Sequence, residues 1–215
     1  MGLFDQLMEA NPQPVLVPEI KPDTPHYEAV GRFVTSFATA EAAVHMLARH
    51  ISGLSDQKAR IVFGGMRLPD LSEIIRQITR IDSLVTNIQA EIEACLTQIG
   101  LIAKRRHMIV HRSSNFFDGK LLVTNVLTTK SLKSTESEVF EIQEMSDMQS
   151  DCMRIYLRLA KIFSPEKHRD QRKPLVESFV YGEWRYKPVP PKTPNLTSRT
   201  TVAKKKRQLP ASPEK

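Results

Sequence analysis

Residues 81–111 read IDSLVTNIQAEIEACLTQIGLIAKRRHMIVH. Within them Ile81, Val85, Ile88, Ile92, Cys95, Ile99 and Ile102 recur in steps of four and three. That spacing lays one apolar stripe along a 3.6-residue period and predicts a helix, the longest of the chain, packed against other helices. One further step lands on Arg106, a cation where an apolar residue belongs. A charge on a buried face needs a partner or a task, because desolvating it unpaired is costly. Arg106-His107-Met108-Ile109-Val110-His111 is thus both the end of the expected helix and the candidate site.

The neighbouring segments repeat the helical period. Thr24-Pro25 offers a capping hydroxyl and a proline for the first turn. Phe33, Phe37, Ala40, Val44, Leu47 and Ile51 then form a stripe that Gly53 closes. A short helix over about 55–63 follows Ser55 and ends at Gly64-Gly65, and a third starts at Pro69 with Leu71, Ile74, Ile75 and Ile78 inward. After Ser113-Ser114 the pattern changes. Asp118-Gly119 marks a turn, residues 121–127 (LLVTNVL) are strand formers, and Val139-Phe140-Glu141-Ile142 is a second strand candidate. These predict a small β-hairpin at about 121–142. Ser146 is read as the cap of a fifth helix, with Asp147 and Asp151 near its positive end and Met148, Cys152, Ile155, Leu159 and Ile162 as its stripe.

Proline and charge set the domain limits. Of 14 prolines, only Pro69 lies between Pro25 and Pro165. A stretch so poor in helix breakers can be largely helical. Residues 1–23 read as an extended arm and 24–163 as one helical domain. Residues 164–215 read as a proline-rich basic tail, docked in part to about 187 through Leu175, Val176, Phe179, Val180, Trp184 and Tyr186, and disordered beyond. The tail carries a net charge of +8 and the remainder −1, out of +7 overall. Its Lys204-Lys205-Lys206-Arg207 run either contacts nucleic-acid phosphates or is a solvated end.

Cys95 and Cys152 stand apart in sequence, inside helical patterns, and read as buried free thiols in a reducing compartment. The chain opens with an early acid and no apolar signal core, and no run of 18 apolar residues occurs. A cytoplasmic protein without a membrane anchor is expected.

Arginine presents a planar, permanently charged fork that matches phosphate oxygens, and histidine exchanges protons near neutral pH. Together they suit attack of a ribose 2′-hydroxyl on the adjacent phosphodiester, with His111 as acid or base and Arg106 facing the charge that builds on phosphate. Five residues apart, the two lie about 140° apart around a straight helix. Cooperation then needs a bend or helix end near His111, or a second copy of the helix across a dimer axis. His107 and His111, four apart, do share a face. That is metal-pair spacing, but there is no His-Glu-x-x-His motif, and neither a metal site nor a cofactor is expected. Structural readings stand beside the functional one. Arg106 can pair with an acid such as Glu41 on the first helix, and His111 can simply complement a helix C-terminus.

A long helix ending in Arg-x4-His near the close of a four-to-five-helix body resembles the HEPN superfamily. The likeness covers residues 24–163, and His107 fills the polar place after the arginine. It implies a mainly α, HEPN-like bundle carrying the hairpin. It also implies a dimeric, metal-independent endoribonuclease of a toxin or defence type, with Arg106, His107 and His111 as catalytic residues and an antitoxin or other protein as partner. Arg105, Arg112, Lys204, Lys205, Lys206 and Arg207 would hold the RNA. HEPN toxins controlled by tyrosine modification carry a tyrosine two residues past the histidine. Ser113 stands there, so that control is not expected. Other HEPN members are noncatalytic, which makes the alternative a helical interaction or RNA-binding module with a structural Arg106.

Overall fold

The computed structural model describes residues 24–82, 85–117, 120–130, 134–164 and 174–188. The arm at 1–23, the Asp118-Gly119 turn and the tail beyond Pro188, with Lys204, Lys205, Lys206 and Arg207, lie outside the described residues. Among the described residues the fold is mainly helical with a small antiparallel sheet. The helices are α1 (Thr24–Ile51), α2 (Asp56–Phe63), α3 (Leu68–Ile81), α4 (Thr86–His111), α5 (Ile142–Phe163) and α6 (Pro174–Val180). The strands β1 (Ser113–Phe117), β2 (Lys120–Thr124) and β3 (Ser137–Phe140) lie between α4 and α5.

The apolar stripes assemble the core. Phe33, Phe37, Ala40, Val44 and Leu47 of α1 are buried, as are Ile92, Cys95, Ile99 and Ile102 of α4 and Met148, Cys152, Ile155 and Leu159 of α5. The pairing of α1 with α5 is the most extensive helix contact; α3 and α4 cover its flanks. Each fully buried Leu, Ile or Phe contributes about 1.5–3 kcal/mol, so these faces, rather than helix propensity, hold the bundle. Gly53 ends α1 with φ 63°, and Gly65 follows α2 with φ 75°, backbone that favours glycine.

Four boundaries depart from expectation. Helix α3 continues through Ile81, and α4 starts at Thr86, so Ile81 and Val85 do not belong to the α4 stripe; both are exposed. Helix α1, with 28 residues, is longer than α4, with 26. The inserted element at about 121–142 is a three-stranded meander over 113–140, not a two-stranded hairpin. In it β1 pairs with β2 in the register Ser114↔Val123, and β2 pairs with β3 in the register Leu122↔Val139. Ser-Ser-Asn-Phe-Phe is a poor strand by composition and is a strand here through its pairing to β2. Finally, α5 is preceded by Glu141 as its N-cap rather than Ser146, which leaves Asp151 mid-helix and away from the positive end. Leu121, Val123 and Phe140 turn the buried sheet face onto the bundle. Among the described residues no helix is long and apolar enough to cross a membrane.

Candidate functional site at the end of α4

The last turns of α4 fan three consecutive side chains in three directions, as 100° per residue requires. Arg105 turns to the sheet and α5. Its guanidinium donates to Glu144 from Nε at 3.0 Å and from Nη2 at 2.7 Å, and also pairs with Glu138. It lies 4.0 Å over the Phe140 ring, with its side chain 15% exposed. The charge of Arg105 is thereby committed to two carboxylates. Burial holds the Glu144 carboxyl above its ordinary range, against the opposing pull of Arg105.

Arg106 turns to α1. Its guanidinium carbon stands 5.7 Å from the Phe37 ring centre, and its Nε is buried without a hydrogen-bond partner. Among the described residues Arg106 forms no ion pair, so the pairing with Glu41 expected of a structural arginine is absent. Arg112, just past the helix, donates from Nη2 to Glu136 at 2.7 Å, while its Nη1 is buried and unpartnered. Of Arg105, Arg106 and Arg112, only Arg106 lacks a carboxylate.

His107 and His111 are exposed and touch each other, with ring centres 4.7 Å apart and planes tilted by 48°. The structure therefore brings the two histidines together on the solvent face. Arg106 sits on the core side of the same helix, so one straight α4 does not converge Arg106 and His111 on one pocket. Among the described residues no group of three or more His, Cys, Asp or Glu is gathered about a point that could hold a metal ion.

A second polar assembly escaped the sequence reading. Residues 180–187 cross α4 and α5 as a strap, and buried polar side chains grip its backbone. Arg158 donates from Nε to the Val180 carbonyl at 2.7 Å and from Nη2 to the Gly182 carbonyl at 3.0 Å. Arg154 donates to the Glu183 carbonyl. Asp151, fully buried, accepts the backbone N–H of Arg185 at 3.0 Å and of Tyr186 at 2.8 Å. Gln98 of α4 donates to Asp151 and to the Tyr186 carbonyl, both at 2.9 Å. Trp184 stacks 4.2 Å from the Arg158 guanidinium. The signal in the sequence is Asp151, Arg154 and Arg158, at helical spacing, beside the apolar stripe Cys152, Ile155 and Leu159. Tyr186 reaches back towards the α4 end: burial raises its hydroxyl pKa, and the charges of Arg105 and Glu144 act on it.

No family model, no curated protein and no solved structure matches this chain.

Proposed function

We propose that this protein is a HEPN-like, RNA-acting protein that cleaves phosphodiesters without a metal. The observation that carries the reading is the state of Arg106, a half-buried guanidinium with no carboxylate, between two arginines that have theirs. A cation partly withdrawn from water, with its Nε unpartnered, is left short of hydrogen bonds, and an anion delivered by a substrate supplies them. RNA phosphate has the matching charge and shape.

In the reaction, His111 takes the proton of a ribose 2′-hydroxyl, O2′ bonds to the neighbouring phosphorus, and the P–O5′ bond breaks. The leaving 5′-oxygen then takes up a proton. Arg106 faces the charge on the phosphate oxygens, and His107 accompanies His111 on its face. Because Arg106 and His111 diverge within one helix, the working pair takes Arg106 from one copy and His111 from another, across a dimer axis.

The test is RNA cleavage by the purified full chain in excess chelator, on single-stranded and hairpin RNA, with Arg106→Ala and His111→Ala alongside. Both variants should be inactive alone. Mixed, they should recover about a quarter of the wild-type rate, since half of randomly formed dimers are mixed and each retains one of two sites. Cleavage that survives both substitutions sinks the assignment, and an inactive mixture sinks the shared site. The stacking of Arg106 on Phe37 favours a second reading, a noncatalytic interaction module in which Arg106 serves α1–α4 packing. Wild-type protein that binds RNA without cutting it, or does neither, supports that one.

A further inference from the structure

The contact between His107 and His111 has a chemistry of its own. Helical spacing holds the two imidazoles on one face, and both are exposed, with ring centres 4.7 Å apart. His111 in the last turn of α4, with His107 one turn before it, lies beside the carbonyl end of the helix dipole, which favours a cation. Lys104, one turn before His107 and exposed, and Arg112, next to His111 in sequence, are like charges flanking the pair.

We propose that His107 and His111 form a two-imidazole binding site for a borderline divalent transition-metal ion, and that the bound ion blocks the RNA chemistry of this helix end. Imidazole nitrogen selects Cu2+, Ni2+ and Zn2+ over Mg2+ and Ca2+, which prefer oxygen. Bonds of about 2.0–2.1 Å to one nitrogen of each ring put those nitrogens roughly 3 Å apart. Rings already in contact reach that separation by side-chain rotation, with α4 unmoved. Two protein ligands leave the remaining positions to water, so binding is reversible by a chelator. The blocking follows because a nitrogen of His111 bonded to a metal cannot also exchange a proton. This second half rests on the ribonuclease reading; the metal site does not.

The experiment titrates the full chain, freed of metal by chelator and dialysis, with CuCl2, NiCl2, ZnCl2 and MgCl2. Calorimetry follows all four salts, and visible absorption follows copper. About one Cu2+ should bind per chain, with Mg2+ far weaker. His107→Ala and His111→Ala should each weaken Cu2+ by roughly tenfold or more, because each removes one of two ligands. Both residues are exposed, so the variants keep the fold, which thermal melts verify. Arg106→Ala should bind Cu2+ like wild type. Equal Cu2+ affinity in wild type and both histidine variants overturns the site. Zn2+ should stop RNA cleavage and chelator should restore it. Cleavage that continues at Zn2+ saturation overturns the blocking. A metal-free wild-type chain that cuts no RNA overturns the ribonuclease reading and the blocking with it, while the copper titration still decides the site.

Discussion

The Arg106 guanidinium stands 5.7 Å from the Phe37 ring centre, at the outer reach of a cation–π contact, and its Nε has no partner. Arg105, the preceding residue, is held by two carboxylates and an aromatic face. The two arginines therefore differ in what they do for stability. Removing Arg106 forfeits only a weak stacking contact and some stem packing, about 0.5–1 kcal/mol. Removing Arg105 leaves Glu144 largely buried without its counter-charge, and costs ~3 kcal/mol, the low end for breaking a buried pair. Urea unfolding of Arg106→Ala and Arg105→Ala should show that order. An Arg106→Ala loss equal to that of Arg105→Ala would make Arg106 a structural residue.

Glu144 also gives the fold a pH signature. Burial raises its folded-state pKa above that of an unfolded glutamate, about 4.3. A group raised in the folded state stabilises it below the unfolded value, and that contribution is lost as pH rises through the folded value. Glu144→Gln removes the titration. The stability of wild type relative to Glu144→Gln should therefore grow as pH falls from neutrality towards about 4.3. Denaturation midpoints of both proteins across that interval measure it, and a constant difference refutes it.

Periodicity made the bundle legible, because Phe33 through Leu47, Ile92 through Ile102 and Met148 through Leu159 each follow one helical face into the core. The same periodicity hid the break before α4. Ile81 and Val85 are in phase with the stripe, yet Ile81 ends the preceding helix. Strand β1 was illegible because its pairing to β2, and not its own composition, makes it a strand. At the candidate site, the stripe singled out Arg106, but it could not tell that Arg105 has carboxylate partners and Arg106 none. Those partners, Glu138 and Glu144, lie 33 and 39 residues away. The strap was more distant still, with Gln98 and Tyr186 separated by 88 residues.

Both cysteines should be inert in the folded protein. Cys95 and Cys152 are fully buried, and burial pushes the Cys152 thiol up to about 12 and the Cys95 thiol further. The thiolate is the reactive form, so neither low accessibility nor ionisation favours modification at neutral pH. A chromogenic disulfide reagent should label the native chain only as fast as it opens, and both thiols at once in denaturant. Rapid labelling of one cysteine without denaturant would mean that its helix opens locally.

The strap offers the sharpest stability test, because the chain's single tryptophan, Trp184, reports on it. Asp151→Asn keeps the side chain's shape but replaces one acceptor oxygen with a donor. In place of Oδ2 that donor faces Gln98 and the Tyr186 N–H; in place of Oδ1 it faces the Arg185 N–H and Arg154; in either case Arg154, 6% exposed, loses its nearby charge. Leaving buried donors and a buried cation unsatisfied costs ~3 kcal/mol. The cheapest relief is to release residues 180–187, which add Val180 and Tyr186 to a core supplied mainly by the α1, α4 and α5 stripes. Asp151→Asn should therefore shift Trp184 emission to the red and expose the strap to protease while the helical circular dichroism persists. Gly182→Ala should shift the emission in the same direction but by less, because its Cβ would lie 3.0 Å from the Ser178 carbonyl oxygen and 3.2 Å from Arg154 Nη2, so the strap must move by only a few tenths of an ångström. Emission that stays at the wild-type position in both variants would show that Trp184 and Tyr186 hold the strap without the polar grip. Loss of helical signal together with the emission shift would instead make the strap part of the cooperative core.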